Sequence, residues 1–207
     1  MTRTFVAIEL GDQARAHLDR EIARLRRVLP SVRWGVPDSM HLTLAFLGEL
    51  DDERLAAVEE ATEDAAHAIR PFSLRVTGLG AFGPTYAPRV IWAGLAGDLP
   101  RLSQLQQALA AALAVRGFAR DERPFSPHLT LARVRERLPI AEVGRLRSLI
   151  DDSPHLRDPA PDATIPVDHI SVMKSELSRP AARYTCLRAV PLGMIRDTPP
   201  PAAPGSS

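Results

Sequence analysis

The chain has 207 residues, 45% hydrophobic and 25% charged, the make-up of one ordinary globular domain or of two small lobes sharing a core. Twenty-six basic against 25 acidic residues leave a formal charge of +1, too little for the continuous basic surface that non-specific binding to a long duplex requires. The single cysteine, Cys186, excludes an intramolecular disulfide and a multi-thiolate zinc site. No apolar run reaches the roughly 18 to 20 residues of a membrane span, and no signal-peptide apolar region precedes the first strand, so a cytoplasmic location is expected.

Thr4 to Leu10 is a short apolar run that reads as a buried strand. Leu18, Ile22, Leu25 and Leu29 then recur on one helical face, predicting an amphipathic helix over 12–29 that Pro30 ends. Val32–Val36 and Met40–Leu47 read as strands around a Pro37-Asp38-Ser39 turn, and 51–70 as an Ala- and Glu-rich helix stopped before Pro71. An extended segment over 72–79, a loop over 80–88 and a strand over 90–94 follow. Pro100 opens a helix with Leu102, Leu105, Leu109 and Leu113 on one face. A polar connection over 120–124 leads to a strand at 128–134, a helix at 140–150, an extended stretch at 161–176 and a last strand at 183–190. Residues 1–195 are expected to form a single bilobal domain and 196–207, rich in proline, a flexible tail.

The pentapeptide His41-Leu42-Thr43-Leu44-Ala45 recurs 87 residues later as His128-Leu129-Thr130-Leu131-Ala132, each copy followed by a helix, a strand and a strand. An internal duplication accounts for both. The fold class expected is therefore α+β: two pseudo-symmetric, mainly antiparallel sheets with helices on the outer faces and a shared central groove. In a strand the leucines point one way, under the helices, and each histidine and threonine the other. Two imidazoles and two hydroxyls would then converge. One imidazole accepts a proton from water or a hydroxyl, the other gives one to a leaving oxygen, and the hydroxyls bond non-bridging phosphate oxygens, with no metal or other cofactor required. One His-x-Thr is a weak signal, but packing alone would preserve the leucines of a duplicated strand and not its outward polar pair.

In these extended motifs the chain resembles the 2H phosphoesterase superfamily, in particular its RNA 2',3'-cyclic phosphodiesterases, also called 2'-5' RNA ligases. The likeness runs from Arg3-Thr4-Phe5-Val6-Ala7-Ile8 through Val32-Arg33-Trp34 and Met40 to Gly48, and on to Arg123-Pro124-Phe125-Ser126-Pro127 and His128 to Arg133. It implies a bilobal fold and metal-independent hydrolysis of a terminal 2',3'-cyclic phosphate to a 2'-phosphate, with reversible 2'-5' joining. It further implies His41 as proton donor, His128 as proton acceptor, and Thr43, Thr130 and Arg133 as phosphate-binding groups; the residues themselves leave the two histidine roles interchangeable. Arg133 has the opposite parity from His128 and Thr130 on a regular strand, so a bulge or strand end is needed to turn it to the phosphate. Ala45 and Gly35 depart from the family pattern at positions that bear on substrate preference.

Aromatic residues are few, and Trp34, Phe46, Phe82, Tyr86 and Phe125 are candidates for stacking on a base. Phe46 shares parity with Leu44 and reads as core, which leaves Trp34 and Phe125 as the foremost base contacts. Arg33, Arg89 and Arg123 are candidates for the RNA backbone but read as solvated when taken singly, and His17, His67, His155 and His169 carry no role. The expected partners are RNA 3' ends or small cyclic-phosphate nucleotides, bound by a monomer. The competing readings are a related phosphodiesterase acting on another nucleotide, a non-catalytic RNA-end-binding module, and a metal hydrolase with His41 and His128 as ligands. No Asp or Glu adjoins either histidine at a spacing that would complete such a metal site.

Overall fold

The computed structural model describes residues 1–119, 121–152, 163–176 and 183–193. Its elements are β1 (Thr2–Glu9), α1 (Asp12–Val28), β2 (His41–Leu50), α2 (Asp52–His67), β3 (Phe72–Phe82), β4 (Val90–Gly97), α3 (Leu99–Val115), β5 (Leu129–Arg133), α4 (Ile140–Asp151), β6 (Thr164–Val167), β7 (His169–Glu176) and β8 (Arg183–Pro191). The tail expected over 196–207 lies outside the described residues. Among the described residues no helix is long and apolar enough to cross a membrane.

The periodicities produce the helices expected. Leu18, Ile22, Leu25 and Leu29 are buried along one stripe at α1, and Leu102, Leu105, Leu109 and Leu113 along α3. Asp51 and Asp98 cap α2 and α3, each carboxylate accepting the backbone N–H three residues on at 2.9 and 3.0 Å. Val32–Val36 does not form the expected strand. Only Trp34 makes a bridge, to Ala132, and Pro37–Ser39 closes a 3-10 turn, because Pro37 fixes its φ and has no N–H for a ladder.

The strands form two four-stranded antiparallel sheets, in the order β2-β1-β7-β8 and β5-β4-β3-β6. Each motif strand is an edge, and β2 and β5 lie against each other. The strands following the two motifs do not behave alike: β3 and β4 pair with each other in the sheet of His128, whereas the extended stretch ending at Glu176 splits at Asp168 into β6 and β7, which enter different sheets. The sheet of His41 is thus completed by the last hairpin of the chain.

The helices interlock the two halves. α2 packs on β7 and β8 and α3 on β2, covering the sheet of His41; α1 packs on β6 and α4 on β3, covering the sheet of His128. Each helix that precedes a motif strand therefore lies on the opposite sheet. Buried residues of both sheets and all four helices form one apolar cluster. Glu142, 3% exposed, fixes the α4 end of this layer, accepting from the Ser31 hydroxyl at 2.7 Å and the Ser31 N–H at 3.2 Å just beyond α1.

Candidate active site in the groove between the sheets

The two motifs are built alike at their first residue. The Nδ1–H of His41 donates to the carbonyl of Ser39 at 3.0 Å, and that of His128 to the carbonyl of Ser126 at 2.7 Å. A carbonyl can only accept, so both neutral imidazoles are held in the tautomer that leaves Nε2 unprotonated. Two histidines from two sheets thus turn the same nitrogen outward from the same backbone anchor.

A bulge at the fourth residue of each pentapeptide shapes the rest. In β1–β2, Ala7 faces Thr43 and Val6 faces Ala45, so Leu44 is an extra residue; in β4–β5, Trp92 faces Thr130 and Ile91 faces Ala132, so Leu131 is extra. Each bulge inverts the alternation beyond it. Residues opposite one another share a face, so Arg133, opposite Val90, lies on the face of Trp92 and Thr130, and the arginine is turned to the groove as the sequence required. The same inversion corrects Phe46. Opposite Phe5 and 59% exposed, it is not core but lies on the face of His41 and Thr43, with the Arg3 guanidinium 4.9 Å over its ring.

Each histidine is backed by aromatic rings, of which only Phe82 was named from the sequence, as a candidate for stacking on a base. His41 stacks on Phe5 at 4.6 Å between centroids, and Tyr184 meets both rings edge-on at 4.9 and 5.4 Å. The small side chain of Ala7, between Glu9 and Phe5 on the same face, leaves room for these rings. His128 meets Phe82 edge-on at 4.9 Å and Trp92 at 6.3 Å. Trp92 lies over Gly80, where a Cβ would overlap the indole. Phe5 and Trp92 are recognisable as site residues only once strand register is known, because each is brought beside its histidine by a neighbouring strand.

Burial lowers the pKa of His41 below that of an ordinary imidazole, and Arg133 lowers it further, against the opposing effects of the Ser39 carbonyl and Glu9. The Arg133 charge reaches the other motif's histidine, so the groove is electrostatically one site. Trp34 and Phe125 are half-buried and packed against the core, while Phe82 and Tyr86 are exposed. Arg123 is engaged by Asp121, whose carboxyl it holds down at about 2. Among the described residues no three His, Cys, Asp or Glu side chains are grouped to hold a metal ion.

A model of the 2'-5' RNA ligase superfamily matches residues 13–179. The chain belongs to this superfamily. An RNA 2',3'-cyclic phosphodiesterase of Methanothermobacter thermautotrophicus is 31% identical over 88% of this chain and 95% of the relative. One of Geobacillus stearothermophilus is also 31% identical, over 91% of this chain, which spans 56% of that longer relative. Among solved structures, a protein of Thermus thermophilus superposes with a TM-score of 0.70 at 28% identity, covering 92% of this chain and 98% of its own. E. coli LigT complexed with 3'-AMP superposes at 0.69 with the same identity and coverage. These two structures thus share the overall fold described above.

Proposed function

We infer that this 2'-5' RNA ligase superfamily member is a hydrolase that opens 2',3'-cyclic phosphates at RNA 3' ends to 2'-phosphates. The observation that carries the reading is the pair of histidines, one from each sheet, each anchored through Nδ1 so that Nε2 is free to exchange a proton. In an in-line displacement the attacking and leaving oxygens lie on opposite sides of phosphorus, and two lobes supply one proton-transfer group to each side.

His128 Nε2 takes a proton from water as its oxygen bonds to phosphorus. The P–O3' bond breaks, and His41 delivers a proton to O3', leaving a 2'-phosphate and a 3'-hydroxyl. Thr43 and Thr130 donate hydrogen bonds to the non-bridging oxygens, and Arg133 offsets the charge that builds on them. Replacing water by the 5'-hydroxyl of a second RNA changes only the nucleophile, so the same geometry performs a reversible 2'-5' joining. One chain provides every group named, so the reaction needs no second copy.

Phe46 and Phe82, exposed on the two sides of the groove, offer flat apolar faces for a terminal base, a stacking worth about 1 to 3 kcal/mol. Small nucleotides carrying a cyclic phosphate meet the same groups as an RNA end. The test is to incubate the protein, in excess EDTA, with a short RNA ending in a 2',3'-cyclic phosphate and to separate the products against 2'- and 3'-phosphate standards. A 2'-phosphate that forms in EDTA is the expected product. A 3'-phosphate, or turnover only after metal is restored, would overturn the reading.

A further inference from the structure

The two histidines are anchored alike, but what stands across the sheet from each is different. In the β1–β2 register His41 is opposite Glu9 and Thr43 opposite Ala7. In the β4–β5 register Thr130 is opposite Trp92 and Leu129 opposite Ala93, and one further step sets His128 beside Gly94. Glycine thus occupies the position that corresponds to Glu9. The next strand repeats the contrast: Ala7 is opposite Ser171 of β7, whereas Trp92 is opposite Gly80 of β3. Ser171 is fully buried and its hydroxyl donates to the half-buried Glu9 carboxylate at 2.5 Å. Both histidines are backed by aromatic rings, but one has a carboxylate fixed beside it on a buried hydroxyl and the other has glycine there.

We propose that Glu9 is the positioning residue that makes His41, and not His128, the proton donor, by holding a fixed negative charge beside its imidazolium. The inference rests on the two-histidine reading above and removes its one interchangeable feature. The groups facing His41 are Glu9 from β1, the Arg133 guanidinium from β5 and the Tyr184 phenol from β8; the Ser171 hydroxyl of β7 and the Cys186 thiol of β8 adjoin Glu9. Burial and Arg133 both disfavour the imidazolium, and Glu9 is the only side chain of this set whose charge favours it. When a cyclic phosphate enters, its negative oxygens face Arg133 and offset the opposing charge. Glu9 then remains as the counter-charge to the proton that His41 transfers to O3'.

The experiment follows the His41 ring proton by NMR titration without substrate, assigned by its loss in His41→Ala, in the wild type, Glu9→Gln, Glu9→Asp and Ser171→Ala. The pH dependence of kcat/KM is measured in parallel on a dinucleotide ending in a 2',3'-cyclic phosphate. Glu9→Gln is expected to move the His41 titration and the alkaline limb of the profile down together by about one pH unit. The rate above the limb then falls about tenfold and recovers as the pH is lowered. Glu9→Asp, which keeps the charge, reverses most of the shift, and Ser171→Ala, which keeps the charge but removes the hydroxyl that holds it, moves the limb down by less than Glu9→Gln does. An unmoved His41 titration in Glu9→Gln, or a Glu9→Asp variant that shifts it as far as Glu9→Gln does, would overturn the proposal and leave Glu9 a structural hydrogen-bond acceptor. Because the titration is read without turnover, an inactive wild type would sink the two-histidine reading and leave this result to be judged separately.

Discussion

At the scale of single residues, the proposed reaction rests on two nitrogen atoms and what fixes them. His41→Ala and His128→Ala are each expected to lower kcat by about a hundred to ten-thousand-fold without loss of fold, measured on a cyclic-phosphate RNA. Thr43→Val and Thr130→Val each remove one donor to an equatorial oxygen and are expected to cost about a hundredfold or more, seen in kcat rather than in KM. The lowered pKa of His41 also links stability to pH. Its folded-state value lies below the unfolded one, so the unfolded chain takes up the proton first as pH falls through the ordinary imidazole range near 6.5. The contribution is intact above that range and is lost on acidification, and His17, also depressed by burial, acts in the same direction. Melting temperatures measured across the window should fall toward low pH, and less steeply in His41→Asn.

At the scale of elements, the two motif strands were legible because His-Leu-Thr-Leu-Ala occurs twice, and the leucines told which face was buried. The bulge at Leu44 was not legible, and the one at Leu131 only as the need, set by the parity of Arg133, for a bulge or strand end. A period-two reading assigns Phe46 to the core and points Arg133 away from the phosphate, and both are resolved by one extra residue per strand whose place only the partner strands β1 and β4 reveal. Phe5 and Trp92 escaped for the same reason: the residues that back a catalytic side chain on a sheet are neighbours in register, and register is not written in one strand. The segment 32–36 had strand-like residues but no partner beyond a single bridge, so its propensity was overridden. Gly80 offers a test at this scale. A methyl group there must displace the Trp92 indole, so Gly80→Ala is expected to cost about 1 to 3 kcal/mol by chemical denaturation and to lower kcat by disturbing the wall behind His128.

At the scale of the whole molecule, the duplication read from the sequence is present in space but not as two consecutive halves. The sheet of His41 takes β1 and β2 from the start of the chain and β7 and β8 from its end, and α1 and α3 each cover the sheet opposite to the one their flanking strands enter. Sequence order alone suggested a helix and two strands after each motif and could not show that the second pair would part. Fragments 1–87 and 88–193 are therefore expected to be largely unfolded when expressed separately, by circular dichroism, and to regain structure when co-expressed. Fragments that each fold alone would contradict the interlocked arrangement. Glu142→Ala, which leaves the Ser31 N–H and hydroxyl without their acceptor, should lower stability by about 1 to 3 kcal/mol while leaving the groove chemistry largely in place.

The central claim is that one histidine from each sheet moves a proton on opposite sides of a single phosphorus. The measurement that tests it most directly is the pH profile of kcat/KM on a cyclic-phosphate dinucleotide for the wild type, His41→Ala and His128→Ala. A bell is expected for the wild type, with an alkaline limb that disappears in His41→Ala and an acid limb that disappears in His128→Ala. A wild-type profile without two limbs, or limbs that survive in both variants, would contradict it.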